Sequence, residues 1–304
     1  MKSIITIFAI TFSLSSFGQY ADSSLHMKAF RMYQNEKFDS AIIYYNQLLN
    51  LEVDNRDDYY FMQLGKCYFE LKQFEKSKRC FLDCLTVIDT VFKNNYAQRE
   101  SCFLLSEIYQ LESNYEASLN ILKVAEAKFP FRKICNAGEF ERKMVLNDKF
   151  AFNFEKLNLI DSAINYLTPY MFSNVDDLLI DSSDYLKIVN NYYRLLCKKS
   201  SPKEVKDIFE RAIIDIYYKK QVDTTNSHIT TNTWYTVESH FSLFGKKVYL
   251  CDVTYDVNSW GGDTVDSFQL STLLQNLKST PTYKLITETK STAHNIKNNS
   301  RKPP

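Results

Sequence analysis

Small and large apolar residues recur at regular helical spacings through the first two thirds of the chain. Where a small residue stands at position i, a second small residue follows at i+12, and large apolar residues follow at i+3, i+9 and i+16. Copies of this pattern are centred on Ala29, Gly65 and Ser106, a weaker copy on Ala151, and a still weaker one on Tyr193. Small residues at i and i+12 let two antiparallel helices approach closely, and the large side chains fill the space beside them.

The helix-breaking residues agree with this pattern. Turns are expected between the two helices of a copy, at Glu36-Lys37 and Lys72-Gln73, and Pro130 ends the second helix of the third copy. Six Gly and six Pro in 304 residues favour helices over a turn-rich β fold. Each helix pair has an apolar face that it cannot bury alone, so neighbouring pairs are predicted to stack into an α-solenoid.

This pattern resembles the tetratricopeptide repeat. The resemblance covers residues 22–135 well and residues 144–219 poorly, and successive copies lie 36, 41, 45 and 42 residues apart. The family's usual spacing is about 34 residues, so longer helices or connections are expected. We expect a mainly α fold, with an antiparallel helix-pair solenoid over residues 19–222 followed by a small α+β segment. The resemblance implies a protein that binds other proteins.

A candidate binding surface follows from the stacking that the resemblance implies. In such an array the first helix of each pair lines the concave side, and positions i+1, i+4, i−3 and i−6 project from it, about 80° around the helix from the packed small residue. We predict that these positions hold apolar anchors for a peptide or helix of a protein partner. The alternative is that their rings pack between repeats. The predicted partner-binding residues are Phe30, Tyr33, Tyr59, Met62, Lys66, Phe69 and Phe103.

One known binding mode of the family is not expected. Some tetratricopeptide proteins hold the terminal carboxylate of a peptide with Lys, Arg and Asn on the concave side. Here Lys66 stands among Phe, Tyr, Met and Glu residues, so a carboxylate clamp is not predicted.

The pattern changes after about residue 222, where apolar and polar residues alternate. The alternation on both sides of Phe244-Gly245-Lys246-Lys247 predicts a β-hairpin, Val265–Leu277 a helix, and Tyr283–Thr287 a third strand. Residues 223–287 are few for an independent core, so we expect them to dock on the last helices. The polar, Lys-rich residues 288–304 are predicted to be disordered.

Catalytic chemistry has one candidate in this segment, the group of His240, Cys251, Asp252 and Asp263. The hairpin register that buries Tyr235, Val237, Phe241 and Leu243 places Cys251 on their face and turns His240 away. A catalytic Cys–His pair is therefore not expected, and we predict that the protein is not an enzyme. The four His residues show no metal-ligand spacing, so neither a metal nor a cofactor is expected.

The first residues predict export. Lys2, the apolar run Ile4–Leu14 and the small residues Ser16 and Gly18 are typical of a secretory signal over residues 1–18, with cleavage before Gln19. The apolar run has 11 residues, too few to span a bilayer, which takes about 20. The alternative is a buried first helix. We expect a periplasmic or secreted protein with no membrane span.

The charge of the chain argues against a nucleic-acid ligand. The chain has 37 Lys and Arg against 36 Asp and Glu and no basic stripe, so nucleic acid is not an expected ligand.

The seven cysteines after the predicted signal have two possible roles. An exported protein can form disulfides, but an odd number of cysteines leaves at least one thiol free. Most of them lie on apolar helix faces, where we expect core packing. They are Cys67, Cys80, Cys84, Cys102, Cys135, Cys197 and Cys251.

Three hypotheses about function remain from the sequence. The leading one is an exported adaptor or scaffold that binds a protein segment on the concave side of the repeats. The second is a ligand-binding or enzymatic C-terminal unit for which the repeats act as a targeting arm. The third is a sensor ectodomain. This hypothesis is disfavoured because a membrane-anchored sensor needs an apolar segment of about 20 residues, and the later sequence has none.

Overall fold

The computed structural model describes residues 24–51, 57–87, 95–130, 136–172, 182–226, 231–256 and 268–288. Chain contacts divide the protein into two compact units, Met1–Arg132 (unit 1) and Lys133–Pro304 (unit 2). The predicted signal residues 1–18, the region 261–263, Cys135 and the predicted disordered tail after Glu288 lie outside the described residues.

Unit 1 consists of antiparallel helix pairs. In each pair two helices follow one another after a three-residue connection, as the repeat pattern predicts. The pairs are α1 (24–34) with α2 (Phe38–Asn50), α3 (Asp57–Glu70) with α4 (Phe74–Thr86), and α5 (Tyr96–Leu111) with α6 (Tyr115–Lys128).

The small residues of the pattern lie at the contact between the two helices of a pair. Ala29 and Ala41, at positions i and i+12 of the first copy, are both completely buried, as are the serines at i+12 of the next two copies. Ser77 donates a hydrogen bond to the carbonyl oxygen of Gly65 at 2.8 Å, and Ser118 donates to that of Ser106 at 3.1 Å. The hydroxyl at i+12 therefore ties the two helices together at the point where their backbones come closest.

The connections within the pairs share one backbone device. The residue at i+7 has a positive φ in four copies: Glu36 (58°), Lys72 (56°), Ser113 (59°) and Asn158 (61°). In each, the following backbone N–H bonds back to the carbonyl at i+3, as from Gln73 to Tyr68 at 2.9 Å, which is a Schellman ending of the first helix. The turns predicted at Glu36-Lys37 and Lys72-Gln73 are confirmed, and the fourth copy has the same ending.

Unit 2 begins with the fourth helix pair and continues with a second pair of a different kind. Ser201 caps the last helix of the second pair through a reciprocal capping box with Glu204, and Pro202 opens that helix. The bulky Tyr193 stands where the other copies have a small residue, which explains why the fifth copy is weak in sequence. The helices are α7 (Asn136–Lys156) with α8 (Ile160–Leu167), then a 3-10 turn (Thr168–Tyr170), and α9 (Ser182–Lys199) with α10 (Pro202–Ile214).

A three-stranded antiparallel sheet follows in the order β1-β2-β3. Its strands are β1 (Tyr217–Asn226), β2 (Thr231–Leu243) and β3 (Lys246–Asp256). Phe244 and Gly245 form the two-residue loop between β2 and β3, both with positive φ, as a type I′ hairpin requires. The hairpin predicted from the alternation is confirmed.

Two elements of the C-terminal segment differ from the prediction. The strand β1 begins at Tyr217, five residues before the expected change of structure at residue 222. The third strand predicted at Tyr283–Thr287 is wrong, because these residues belong to a helix, α12 (Pro281–Glu288), which follows α11 (Leu270–Ser279). Thr280 caps α12 by accepting a hydrogen bond from the backbone N–H of Tyr283, and Thr282 and Ile286 are buried one turn apart.

The inner face of the sheet completes the core of unit 2. Phe241 of β2 packs against Phe209 of α10 and Phe172, with ring centroids 6.1 and 5.4 Å apart, and the rings of Phe172 and Phe209 stack at 5.2 Å. Leu277 of α11 and Ile286 of α12 belong to the same buried cluster. The expected docking of the C-terminal segment on the preceding helices is confirmed.

A charged cluster joins α7 to α9 at the edge of this core. Arg194 donates two hydrogen bonds of 2.5 Å to the carboxylate of Glu155, and Lys198 donates a third. Burial alone would raise the pKa of Glu155, but the hydrogen bonds and charges of Arg194 and Lys198 outweigh it and lower the pKa to about 2. The carboxylate is therefore held ionised where the helices meet.

The first prediction concerns the closest helix contact. A methyl group at Gly65 would lie 2.5 Å from the ring of Phe81, which is completely buried. We expect Gly65→Ala to lower the free energy of unfolding by about 1–2 kcal/mol, because overpacking outweighs the gain in helix propensity. Urea unfolding followed by far-UV circular dichroism measures this. As a control, Gly65→Ala is also made in a Phe81→Leu variant, since the third copy has a leucine, Leu122, at the position of Phe81. Gly65→Ala should destabilise this variant less than it destabilises the wild type. An equal loss of stability in both would contradict the contact with Phe81.

The second prediction concerns the left-handed turn residues. A residue with a Cβ in this conformation is strained by about 1–2 kcal/mol, whereas glycine adopts it freely at a smaller entropic cost. Lys72→Gly should therefore raise the free energy of unfolding by about 0.5–1 kcal/mol in the same assay. Lys72→Ala is the control, since it removes the side chain but keeps the Cβ. A gain in the alanine variant as large as in the glycine variant would assign the effect to the lysine charge instead.

The third prediction concerns the pH dependence of unit 2. Because the pKa of Glu155 is lower in the folded state than its ordinary value of 4.5, its stabilising effect is complete above pH 4.5 and is lost as the pH falls toward 2. At pH 7, Glu155→Gln should cost about 1.5–3 kcal/mol, the range for hydrogen bonds to charged groups.

The readout for this variant is tryptophan fluorescence during urea unfolding, since both tryptophans, Trp234 and Trp260, belong to unit 2. The difference from wild type should shrink as the pH falls from 5 to 2.5. The exposed pair Asp161–Lys199 supplies the control, because Asp161→Asn should cost under about 1 kcal/mol. A Glu155→Gln difference that does not change with pH would contradict the ionised cluster.

Candidate functional site

The first helices of the three copies in unit 1 each hold predicted binding residues that are partly exposed. Tyr33 of α1 and Phe69 of α3 are partly exposed, each with its ring edge-on to the first aromatic of the following helix, at 5.6 Å from Phe38 and 5.7 Å from Phe74. We call the partly exposed set the first-helix surface. It consists of Phe30, Tyr33, Lys66, Phe69 and Phe103.

Charged groups from successive helices meet on this surface. Lys66 of α3 forms an ion pair with Glu100 of α5 at 3.2 Å. Burial raises the pKa of Tyr33, and the negative charges of Glu70 and Glu100 raise it further. Residues of α1, α3 and α5 are therefore close enough to interact electrostatically. Because Lys66 pairs with Glu100, its positive charge does not neutralise the negative charge of Glu70.

Of the other two predicted binding residues, one is buried and one is partly exposed against α1. Met62 is completely buried and packs against Cys84 and Ala97, so its side chain has no surface to offer a partner. Tyr59 is partly buried beside His26 of α1, with ring centroids 5.6 Å apart. The expectation that Met62 projects outward is corrected, because its position faces the next helix pair. For Met62 the alternative of packing between repeats holds.

Glu70 lies near the first-helix surface, close enough for its charge to raise the pKa of Tyr33, although the repeat pattern does not predict a role for it. It stands at i+5 of the second copy, directly after Phe69 at i+4, and its side chain is exposed. In the sequence, the only sign of a role for Glu70 is that an acidic residue directly follows the predicted anchor Phe69. The repeat pattern does not predict it, because i+5 is not one of the positions that project from the concave side.

The candidate catalytic group is not assembled among the described residues. Cys251 lies opposite Ser239 on the buried face of the sheet, whereas His240 lies opposite Tyr249 on the other face, after a register shift between Ser239 and His240. The Nδ1 atom of His240 is 3.2 Å from Glu238, and its ring lies 4.8 Å from that of Tyr217. The expected register is confirmed, and Asp263 lies outside the described residues.

The cysteines of the described residues are free thiols, and all but Cys197 are buried. Burial raises the pKa of Cys67, Cys84 and Cys102 to about 12, so these thiols stay protonated and unreactive at neutral pH. Their role in packing is confirmed. In the part of the chain that the structure describes, no three His, Cys, Asp or Glu side chains cluster as metal ligands, and no helix has the length and apolar character to cross a bilayer.

The helix pairs, their small-residue contacts and their repeated turns define the class of the protein: tetratricopeptide-like helix-pair repeats followed by a small α+β segment. The predicted fold class is confirmed. The model of the tetratricopeptide repeat family matches residues 59–89, which cover α3 from its third residue and the whole of α4.

Whole proteins that are similar to this chain include one curated sequence and one solved structure. The chain is 26% identical over 141 residues to the response regulator aspartate phosphatase I of Bacillus subtilis (strain 168), a match that covers 44% of this chain. The chain spans only 35% of the length of that relative. A solved structure of nearly identical TPR-like repeats, attributed to a kinesin light chain of Podosopora anserina, is similar over 63% of this chain and 94% of its own, with 16% identity and a TM-score of 0.44.

Proposed function

We propose that the protein is an exported scaffold that binds a segment of another protein on the first-helix surface. The observation that carries the proposal is that α1, α3 and α5 each hold a partly exposed aromatic ring, and that charged side chains of α3 and α5 meet on these helices, as Lys66 and Glu100 do at 3.2 Å. Tetratricopeptide repeats generally mediate protein interactions, and the model of that family matches residues 59–89 of this chain.

The chemistry of the surface defines the partner segment. Phe30, Phe69 and Phe103 offer ring faces that an apolar side chain of a peptide or helix would cover. Glu70 adds an exposed carboxylate beside Phe69 that favours a basic residue in the partner. The bound segment is therefore an extended or helical stretch with apolar anchors next to Lys or Arg, held on the concave side of the repeats.

Export rests on the sequence of residues 1–18 alone. The positive Lys2, the short apolar run and the small residues before Gln19 support cleavage and release into the periplasm or the medium. N-terminal sequencing of the protein recovered outside the cytoplasm would test this part separately, and a chain that keeps Met1 inside the cell would contradict it.

The binding proposal is tested with peptides. A randomised peptide library is selected on the immobilised full chain, and the dissociation constant of the strongest selected peptide is measured by calorimetry. We expect selected peptides to share apolar anchors beside Lys or Arg. The variant Phe30→Ser with Phe69→Ser should weaken binding at least tenfold, since truncating an aromatic anchor of an interface costs about 2 kcal/mol or more and about 1.4 kcal/mol is tenfold.

The control removes apolar side chains from the opposite helices of the same repeats. Ile43 of α2 and Leu82 of α4 are 58% and 47% exposed, so Ile43→Ser with Leu82→Ser also removes two exposed apolar side chains and leaves the first-helix surface unchanged. Both variants are checked for helicity by circular dichroism. If the control loses binding while the first-helix variant keeps it, the binding site lies elsewhere and the proposal is wrong.

A further inference from the structure

In the part of the chain that the structure describes, the strand β1 is an edge strand of the sheet. It pairs with β2 along all ten residues, from Tyr217 opposite His240 to Asn226 opposite Thr231. Among the residues that the structure describes, no strand pairs with the other side of β1. Ten residues of β-strand extend about 33 Å, so this edge carries a long row of backbone N–H and C=O groups. Natural proteins usually cover or shorten such an edge.

The side chains of β1 divide between the two faces of the sheet. Lys219, Gln221 and Asp223 lie opposite Glu238, Thr236 and Trp234, on the face that carries His240. Lys220 and Val222 lie opposite Val237 and Tyr235, on the face that packs on the helices, and Val222 is 51% exposed. Gln221 donates hydrogen bonds of 3.3 and 3.2 Å to the carboxylate of Asp223.

The order of these charges makes the strand complementary to itself. We propose that β1 pairs antiparallel with β1 of a second copy of the chain, so that two sheets join into one of six strands around a two-fold axis at Gln221. Lys219 then lies directly opposite Asp223 of the partner subunit, and the symmetry repeats the pair on the other side of the axis. Opposite charges placed directly across neighbouring strands stabilise the pairing.

The charges also select this register among its neighbours. In a continuous sheet, two residues that lie directly opposite each other point to the same face. The two-fold axis must therefore lie at a residue, and the neighbouring registers have it at Lys220 or at Val222. The neighbouring register in one direction places Lys220 opposite Lys220 of the partner subunit, which is repulsive. The neighbouring register in the other direction places Asp223 opposite Gln221 of the partner subunit and loses both ion pairs. The register centred on Gln221 alone gives two attractive pairs.

A second copy explains the edge better than a strand of another protein. Lysine on an edge strand usually keeps other strands away, since a foreign strand leaves its charge unmatched. In the self-paired arrangement the strand itself supplies the matching carboxylate in the required position. The same residues that discourage foreign strands therefore favour this one partner.

The test is the association state of the full chain, measured by sedimentation velocity over a range of concentrations. We expect the wild type to dimerise reversibly and to dissociate as salt is raised, because cross-strand ion pairs at an exposed edge are screened. Lys219→Asp and Asp223→Lys each turn both pairs into like-charge contacts and should weaken the dimer about tenfold or more. Lys246→Asp, an exposed reversal on β3 of the same sheet, is the matched control and should dimerise like the wild type.

Rescue distinguishes the register from general damage to the sheet. The double variant Lys219→Asp with Asp223→Lys restores opposite charges and should dimerise like the wild type. An equimolar mixture of the two single variants should form a mixed dimer, since one strand is then wholly acidic and the other wholly basic at these positions. A wild type that stays monomeric at every concentration overturns the proposal. So do single variants that dimerise normally, or a double variant and a mixture that both stay monomeric.

Discussion

The close approach of two helices at a pair of small residues is the constraint on which the repeats depend. At this point Gly65 leaves no room for a methyl group beside Phe81, and the backbone carbonyl of Gly65 accepts the hydroxyl of Ser77. Packing and hydrogen bonding therefore act at the same place. Because interiors are packed as densely as organic crystals, a contact this close fixes the relative position of the helices and of the side chains that they project. The first-helix surface is a consequence of that contact.

Much of this arrangement could be predicted from the sequence, because it follows from local spacing. The small residues, the turn positions and the hairpin of β2 and β3 each depend on residues a few turns or a few positions apart. The burial of Met62 could not be predicted in the same way. It depends on the angle at which one helix pair packs on the next, and the spacing inside a single copy contains no information about that angle.

In the C-terminal segment, the local sequence pattern does not determine two elements, the helix α12 and the start of the strand β1. Residues 283–287 are rich in β-branched and apolar side chains, which suggested a strand, yet Thr280 and Pro281 are a capping residue and a first-turn proline. The start of β1 cannot be predicted from the alternation of apolar and polar residues, because Lys219 and Lys220 interrupt it, as is common for an edge strand. In both cases the residues at the ends and edges of elements were more informative than the average composition.

The left-handed residue stands seven positions after the small residue in four copies, although the copies lie 36, 41 and 45 residues apart. Variation in length is therefore confined to residues outside the span from i to i+12. The helix α7 has 21 residues against 14 in α3, and the gap between Thr86 and Tyr96 is longer than that between Asn50 and Asp57. One residue inserted inside the span would rotate part of a helix by about 100° and place a different side chain in the contact. Evolution can thus lengthen this chain outside the span, but inside it can only exchange one side chain for another.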